Sequence, residues 1–280
     1  MFDQGHITFI GPGVMAEAMA AGLLDRGGLS PGQLLMSGPR ANRLHQLADR
    51  YGLATATDNR AAVEQAQVVV LSVKPQSLPG ALAGLRGAIP PTALVLSIVA
   101  GARLQDIAEQ LGHPSIVRAM PNTPGQVGAG ITVWIASPQV TPAQREQARA
   151  LLQALGQEIA VDEEDYLDMA TALSGTGPSY VYLFMEAMID AGVHMGFPRR
   201  IAENLVTETI RGSLLYYERS PRHPARLRNE VTSPGGTSAA ALYYLEKAGF
   251  RTALARAIWA AYERSVELGE GKKRGPARET

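Results

Sequence analysis

The chain contains no cysteine, which excludes disulfides, thiolate catalysis and cysteine-ligated metals. Its five histidines are scattered without a His-x-x-x-His pair, so no metal site is expected. Charge of one sign is also missing. Lys plus Arg and Asp plus Glu both number 26, and this balance offers no field for nucleic acid or an anionic membrane. No apolar run reaches membrane-spanning length, and no basic segment followed by an apolar core opens the chain. The expectation is a cytoplasmic protein without nucleic-acid or membrane partners. What is present is a large apolar fraction, 46% over 280 residues, enough for one large or two medium domains with a real core.

The C-terminal part carries the densest polar pattern, Val231-Thr232-Ser233-Pro234-Gly235-Gly236-Thr237-Ser238, followed by Ala239-Ala240-Ala241-Leu242. Hydroxyls and paired glycines before a strong helix former describe a backbone concavity at a helix N-terminus, where unpaired N–H groups and the helix dipole favour a small carboxylate. An ordinary Ser/Thr cap with a glycine turn accounts for the same residues.

At the other end, His6 to Ile10 reads as a buried strand, followed by Gly11-Pro12-Gly13-Val14-Met15-Ala16 and a helical run. This G-x-G-x-x-A between strand and helix is the dinucleotide fingerprint. Gly11 supplies the tight turn, Gly13 the backbone approach to pyrophosphate, and Ala16 the close helix–strand packing. The second strand, residues 33–37, ends without the acidic residue that binds an NAD ribose. Ser37-Gly38-Pro39-Arg40-Ala41-Asn42-Arg43 stands there instead, and its hydroxyl and guanidinium groups suit a 2′-phosphate, hence NADP(H) ahead of NAD(H). Arg40 and Arg43 also fit plain exposed positions of the next helix.

Residues 68–73 form a near-continuous apolar run typical of a covered parallel strand and end in Lys74-Pro75-Gln76, at the edge where such sheets bind ligands. Lys74 reads as a nucleotide contact or as a surface group. Further strands are expected at 94–99, 115–118, 131–135 and 158–161. Met120-Pro121-Asn122-Thr123-Pro124-Gly125 reads as a rigid loop with exposed polar groups, and Thr141-Pro142-x-Gln144 as a capping box. After residue 161 strand signals stop. The expected architecture is a doubly wound, mostly parallel α/β Rossmann domain over 1–162, followed by an all-α domain over 163–280 for dimerisation and substrate binding. Residues 180–195 are apolar on nearly every side, so this helix is expected to be buried all round, with a partner subunit covering it. Further long helices are expected at 201–217 and 248–268, and Lys272, Lys273 and Arg274 mark a solvated tail.

Taken in order, the Gly11-to-Ala16 turn, Val73-Lys74-Pro75-Gln76, Arg118-Ala119-Met120-Pro121-Asn122-Thr123-Pro124, Leu173-Ser174-Gly175-Thr176-Gly177-Pro178 and the Val231-to-Ser238 segment resemble the pyrroline-5-carboxylate reductase family. The resemblance covers almost the whole chain. It implies NAD(P)H-dependent reduction of 1-pyrroline-5-carboxylate to L-proline, the final step of proline synthesis, by a homodimer that interleaves its helical domains and, in this family, often builds a ring of dimers. By position, Ile10, Gly11, Pro12, Gly13, Val14 and Met15 resemble the pyrophosphate loop. Ser37, Arg40 and Asn59 resemble the adenosine-ribose surroundings, and Ser72, Val73, Lys74 and Pro75 with Ile98, Val99 and Ala100 the nicotinamide side. Glu164 resembles a group contacting the ring nitrogen; Ser233, Gly236, Thr237 and Ser238 resemble the carboxylate cradle, with Ser238 also within reach of that nitrogen. Ser238 and Glu164 are the expected catalytic pair. The family usually has Thr at 238, and some relatives carry Asn near the cofactor where Glu230 stands. A 3-hydroxyacid dehydrogenase is the rival enzyme, but residues 165–182 hold no lysine for its proton transfer. A non-catalytic NADPH sensor would be expected to keep the Gly11 loop and lose the distal hydroxyls.

Overall fold

The computed structural model describes Phe2 and residues 5–271, so Lys272, Lys273 and Arg274 lie outside the described residues. The chain divides into two compact units, one running to Thr176 and resuming at Ala261, the other Gly177–Ala260.

The first unit is built on its apolar runs. Strand β1 (His6–Ile10), with Ile7, Phe9 and Ile10 fully buried, feeds helix α1 (Val14–Asp25). There follow β2 (Leu34–Ser37), α2 (Ala41–Tyr51), β3 (Ala54–Ala56), α3 (Asn59–Val63), β4 (Ala66–Leu71), α4 (Leu78–Leu85), β5 (Leu94–Ser97), α5 (Leu104–Leu111) and β6 (Ile116–Met120). All these strands are parallel; β7 (Gly130–Ala136) then turns back antiparallel to β6, and α6 (Pro142–Gln153) leads to β8 (Gly156–Ala160), parallel to β7. The sheet order β3-β2-β1-β4-β5-β6-β7-β8 reverses direction between β1 and β4, the switch point where an open α/β sheet offers a crevice. Val68, Val69, Val70 and Leu71 are wholly buried, as a strand covered on both faces requires. One core, with Phe9, Met36 and Trp134, covers one face, and a second, with Ile10, Val69 and Ile107, covers the other.

Two turns close with capping boxes, the one at Thr141 as its sequence predicts. Ser30 and Gln33 form a capping box on a 3₁₀ turn, and Thr141 and Gln144 form another on α6. The strands at β3 and the short helix α3 carry too few apolar residues to be read from sequence.

By compactness, the first unit runs beyond the expected division at residue 162. The compact unit continues past residue 162 through α7 (Asp165–Ala170) and a π-helical turn, Thr171–Gly175. The reason is ionic: Arg118 on β6 bonds Glu164 and Asp168, drawing α7 onto the sheet. The π turn takes in the first three residues of the Leu-Ser-Gly-Thr-Gly-Pro motif. Ser174 Oγ donates to the Ala170 carbonyl, and Gly175 packs so closely that a Cβ there would lie 2.9 Å from Met120 Cε.

The second unit is all helix: α8 (Gly177–His194), α9 (Arg199–Glu218), α10 (Pro224–Glu230), α11 (Thr237–Lys247) and the first half of α12 (Phe250–Gly269). Here the expectation of a helix buried all round fails within one chain. Gly192 is the only buried residue of α8, and Leu183 is 67% exposed. A single copy has no second layer to lay over that helix.

Candidate active site

The glycine-rich loop after β1 has a backbone that only glycine permits. Gly11 sits at φ +102°, and a Cβ there would fall 2.9 Å from the Ser72 carbonyl group and Val73 Cγ1. Its N–H donates to the Ser37 carbonyl (2.9 Å), Ser72 N–H donates to the Ile10 carbonyl (2.9 Å), and the Ser72 hydroxyl lies 2.9 Å from the Gly11 carbonyl. Three strand ends are thereby tied at the switch point. Gly13 opens α1 with no side-chain cap and with nothing nearer to its Cβ position than the Ser72 carbonyl at 3.7 Å. A dinucleotide pyrophosphate fits this cradle: uncapped N–H groups, open space at Gly13, and a helix dipole behind them. Val14, 58% exposed, and half-buried Met15 begin that helix; Pro12 packs under Gly38.

Ser37 and Asn59 are brought together, the buried Ser37 hydroxyl donating to Asn59 Oδ1 at 2.7 Å. Arg40 is exposed at the start of α2, with no ion pair among the described residues. Arg43 departs from the expected 2′-phosphate role. Its Nε donates to the Pro12 carbonyl (3.2 Å) and its Nη2 bonds Glu17 on α1, which also takes Arg50 and the Tyr51 hydroxyl. Arg43 therefore braces the loop from behind, and its charge is already matched. Burial alone would push the Glu17 carboxyl up; the hydrogen bonds from Arg43 and Tyr51, with the charges of Arg43 and Arg50, outweigh it and hold the group below its usual range. Burial and the bond to Glu17 push Tyr51 up.

On the other side of the switch point, Lys74 and Pro75 are exposed after half-buried Ser72 and Val73. Ile98 N–H donates to the Leu71 carbonyl, holding the two loops side by side. Val99 is buried in the core, and its backbone is used within the loop: its N–H donates to Ser97 Oγ (3.3 Å) and its carbonyl accepts from Ala102 N–H (3.4 Å). Asn122 differs from expectation: its side chain is used internally, donating to the Ser174 carbonyl and accepting from Ile131 N–H.

Glu164 stands at the start of α7 with one oxygen, Oε1, accepting from Arg118 Nη1 (2.9 Å) and from Leu104 N–H (2.8 Å). Arg118 also reaches Asp168 (3.3 Å), whose same oxygen accepts the Ser265 hydroxyl at 2.7 Å. Arg118, Asp168 and Ser265 were not singled out from sequence, although an arginine inside an apolar strand and two carboxylates four apart on one helix face are a readable signal.

In the second unit, Thr232 Oγ1 anchors the signature segment on the Arg228 carbonyl (2.7 Å), Gly235 turns at φ +71°, and Gly236 begins α11. The ordinary-cap reading fails here, because no side chain caps α11. A Cβ at Gly236 would fall 2.5 Å from Ser233 Oγ, so any larger residue would turn that hydroxyl out of its place. Exposed Ser233 and Thr237 and half-buried Ser238 surround this uncapped N-terminus, a seat for a carboxylate. Glu230 is taken up by Arg222 Nη1 (2.6 Å) and Arg226 Nε (3.2 Å).

A family profile described as "Pyrroline-5-carboxylate reductase dimerisation" matches residues 164–268, and one described as "NADP oxidoreductase coenzyme F420-dependent" matches residues 6–101. A pyrroline-5-carboxylate reductase of Synechocystis sp. is 42% identical over 265 residues, 95% of this chain and 98% of the relative. The crystal structure of Plasmodium falciparum pyrroline carboxylate reductase with NADP bound superposes with a TM-score of 0.87 at 31% identity, covering 95% of this chain and 98% of that one. The pyrroline-5-carboxylate reductase of Coxiella burnetii gives 0.86 at 35% identity, covering 97% and 100%. With identity at this level over nearly the whole of both chains, the chain belongs to the pyrroline-5-carboxylate reductase family.

Proposed function

We propose that this chain reduces 1-pyrroline-5-carboxylate to L-proline with NADPH as the preferred donor, NADH serving less well. The observation that carries the reading is the uncapped N-terminus of α11 behind Gly235 and Gly236, in a chain that also holds a dinucleotide cradle. Bound NADPH supplies the hydride that the imine carbon accepts. Ile10, Gly11, Pro12, Gly13, Val14 and Met15 hold the pyrophosphate, and Ser37, Arg40 and Asn59 the ribose end. Ser72, Val73, Lys74 and Pro75, with Ile98, Val99 and Ala100, hold the nicotinamide end. Ser233, Gly236 and Thr237 fix the substrate carboxylate, and the Ser238 hydroxyl bonds the ring nitrogen as it becomes an amine. Glu164, whose Oε1 is taken by Arg118 and Leu104 N–H, favours the protonated imine electrostatically. A protonated imine is already electrophilic, so orientation is the protein's main contribution, worth roughly 7–11 kcal/mol.

Two copies pair through the apolar faces of the second unit, and we extend this, from the family resemblance, to a ring of dimers in the cytoplasm. No helix among the described residues is long and apolar enough to cross a membrane. The test is loss of nicotinamide absorbance on adding the cyclic imine, with each cofactor in turn. Imine-dependent oxidation, faster with NADPH, is expected. Oxidation of a hydroxyacid instead, or cofactor binding without turnover, would overturn the assignment.

A further inference from the structure

The loop of residues 98–103 joins β5 to α5 and carries Ile98, Val99 and Ala100, the proposed nicotinamide-side contacts. Its end is hydrogen-bonded to one buried ionic cluster, and its start follows the strand paired with that cluster's arginine. At its start, Arg118 lies opposite Ser97 in the register of β5 and β6, and the Ser97 hydroxyl accepts the Val99 N–H at 3.3 Å. At its end, Leu104 N–H, the first donor of α5, goes to Glu164 Oε1 at 2.8 Å. Arg118 joins these ends: its Nη1 holds Glu164 and its Nη2 holds Asp168, while its own side chain is only 3% exposed. Asp168 is fixed in turn by Ser265 on the last turns of α12. The same turns press on the loop. Gly101 sits at φ +74°, and a Cβ there would lie 3.0 Å from Gly269 N and 3.1 Å from Leu268.

Stability gives little reason for such a cluster. A buried ion pair adds little over well-packed apolar side chains, because desolvation offsets most of its Coulomb energy. Its fixed hydrogen bonds do set geometry, and every chain end they fix borders the loop at the carboxyl edge of the sheet.

We propose that Arg118, Asp168 and Ser265 are positioning residues, which act through Glu164 and Leu104 to set the 98–103 loop against the nicotinamide ring. The proposal rests on the reductase reading above. Losing one member should let the loop shift without dismantling the sheet. A displacement of the ring then lowers the hydride-transfer rate, while the carboxylate seat at α11, built from other residues, keeps its affinity.

The test uses the full chain as Ser265→Ala, which deletes one bond to Asp168, and as Arg118→Lys, which retains the charge and loses the two-armed fork. Hydrogen exchange, measured without substrate, is expected to speed up at the amides of residues 99–104 by about tenfold, with the amides of β4 and β5 unchanged. In kinetics, kcat should fall by about fivefold to tenfold with a larger isotope effect from deuterated NADPH, and the KM for the imine should stay within about twofold. Uniformly faster exchange together with a lower Tm and unaltered kcat would overturn the proposal in favour of a purely structural cluster. Unchanged loop exchange in both variants would overturn it outright. Wild-type protein without imine-dependent turnover would defeat the reductase reading instead, and the exchange result would stand apart from it.

Discussion

The two units meet the need to bury apolar surface in opposite ways. In the first, the sheet hides its largest side chains: Trp134, Phe9, Met36 and Leu71 are essentially inaccessible. In the second, Ala202 and Val206 are the only buried hydrophobic residues, while Met195, Tyr244, Leu183 and Trp259 stand 74%, 69%, 67% and 62% exposed. A monomer in water rarely leaves that much apolar surface open. The lesson is that helix formation and burial are separate events here. The helices of the second unit form on their own sequence, and in the proposed pairing a second copy supplies the burial. The contrast extends to the sites. The glycine-rich loop is built from strand ends clamped by backbone hydrogen bonds, whereas the proposed carboxylate seat hangs on one helix terminus and one Thr232 anchor.

Three perturbations sharpen that contrast. The largest effect is expected in the second unit, at Ser238. Ser238→Ala should lower kcat by about tenfold to hundredfold, the worth of a transition-state hydrogen bond of about 1.5–3 kcal/mol, with a smaller change in KM for the imine. Ser238→Thr should be tolerated, and Thr237→Ala should appear mainly in that KM. Steady-state kinetics with the imine varied at saturating NADPH separates these outcomes; unchanged turnover in Ser238→Ala would reduce Ser238 to a bystander at the helix end.

In the first unit the arginines should part company. Arg40→Ala is expected to raise the KM for NADPH about tenfold and leave NADH nearly untouched, because a phosphate would lose a charge-assisted bond. Arg43→Ala should lower Tm and weaken both cofactors alike, since Arg43 supports the loop through Pro12 and Glu17. The same loss of NADPH selectivity in both variants would contradict the split.

The smallest effect concerns Glu17. Its carboxyl titrates below the usual range when folded, so its stabilising contribution is complete above that range and is lost as pH falls through the lowered value. Glu17→Gln should lower Tm at neutral pH by about 2–4 °C. Wild type and variant should converge as the solution is acidified past the ordinary carboxylate range, and a pH-independent gap between their melting curves would contradict this.

Much of this molecule was legible before the structure. Continuous apolar runs announced β1, β4 and β5, and the two glycine motifs announced the turns that open α1 and α11, because both signals are local. The 54–56 strand was not legible, since Ala-Thr-Ala at a sheet edge has neither alternation nor bulk. Arg43 and Asn122 were read as outward-facing, and both turn inward to partners dozens of residues away. The Arg118 cluster escaped for the same reason. Asp168 and Ser265 alone are 97 positions apart, Arg118 lies further still from Ser265, and only folding shows that they belong together. That link also explains why the first unit reclaims the chain from Ala261 onward.

Sedimentation equilibrium on the wild-type chain, followed to low concentration alongside circular dichroism, bears most directly on the difference between the units. With a second copy required to bury Leu183, Met195 and Tyr244, the chain should sediment as a dimer or a multiple of dimers wherever its helix content is intact. A folded monomer retaining full helix content would contradict the account.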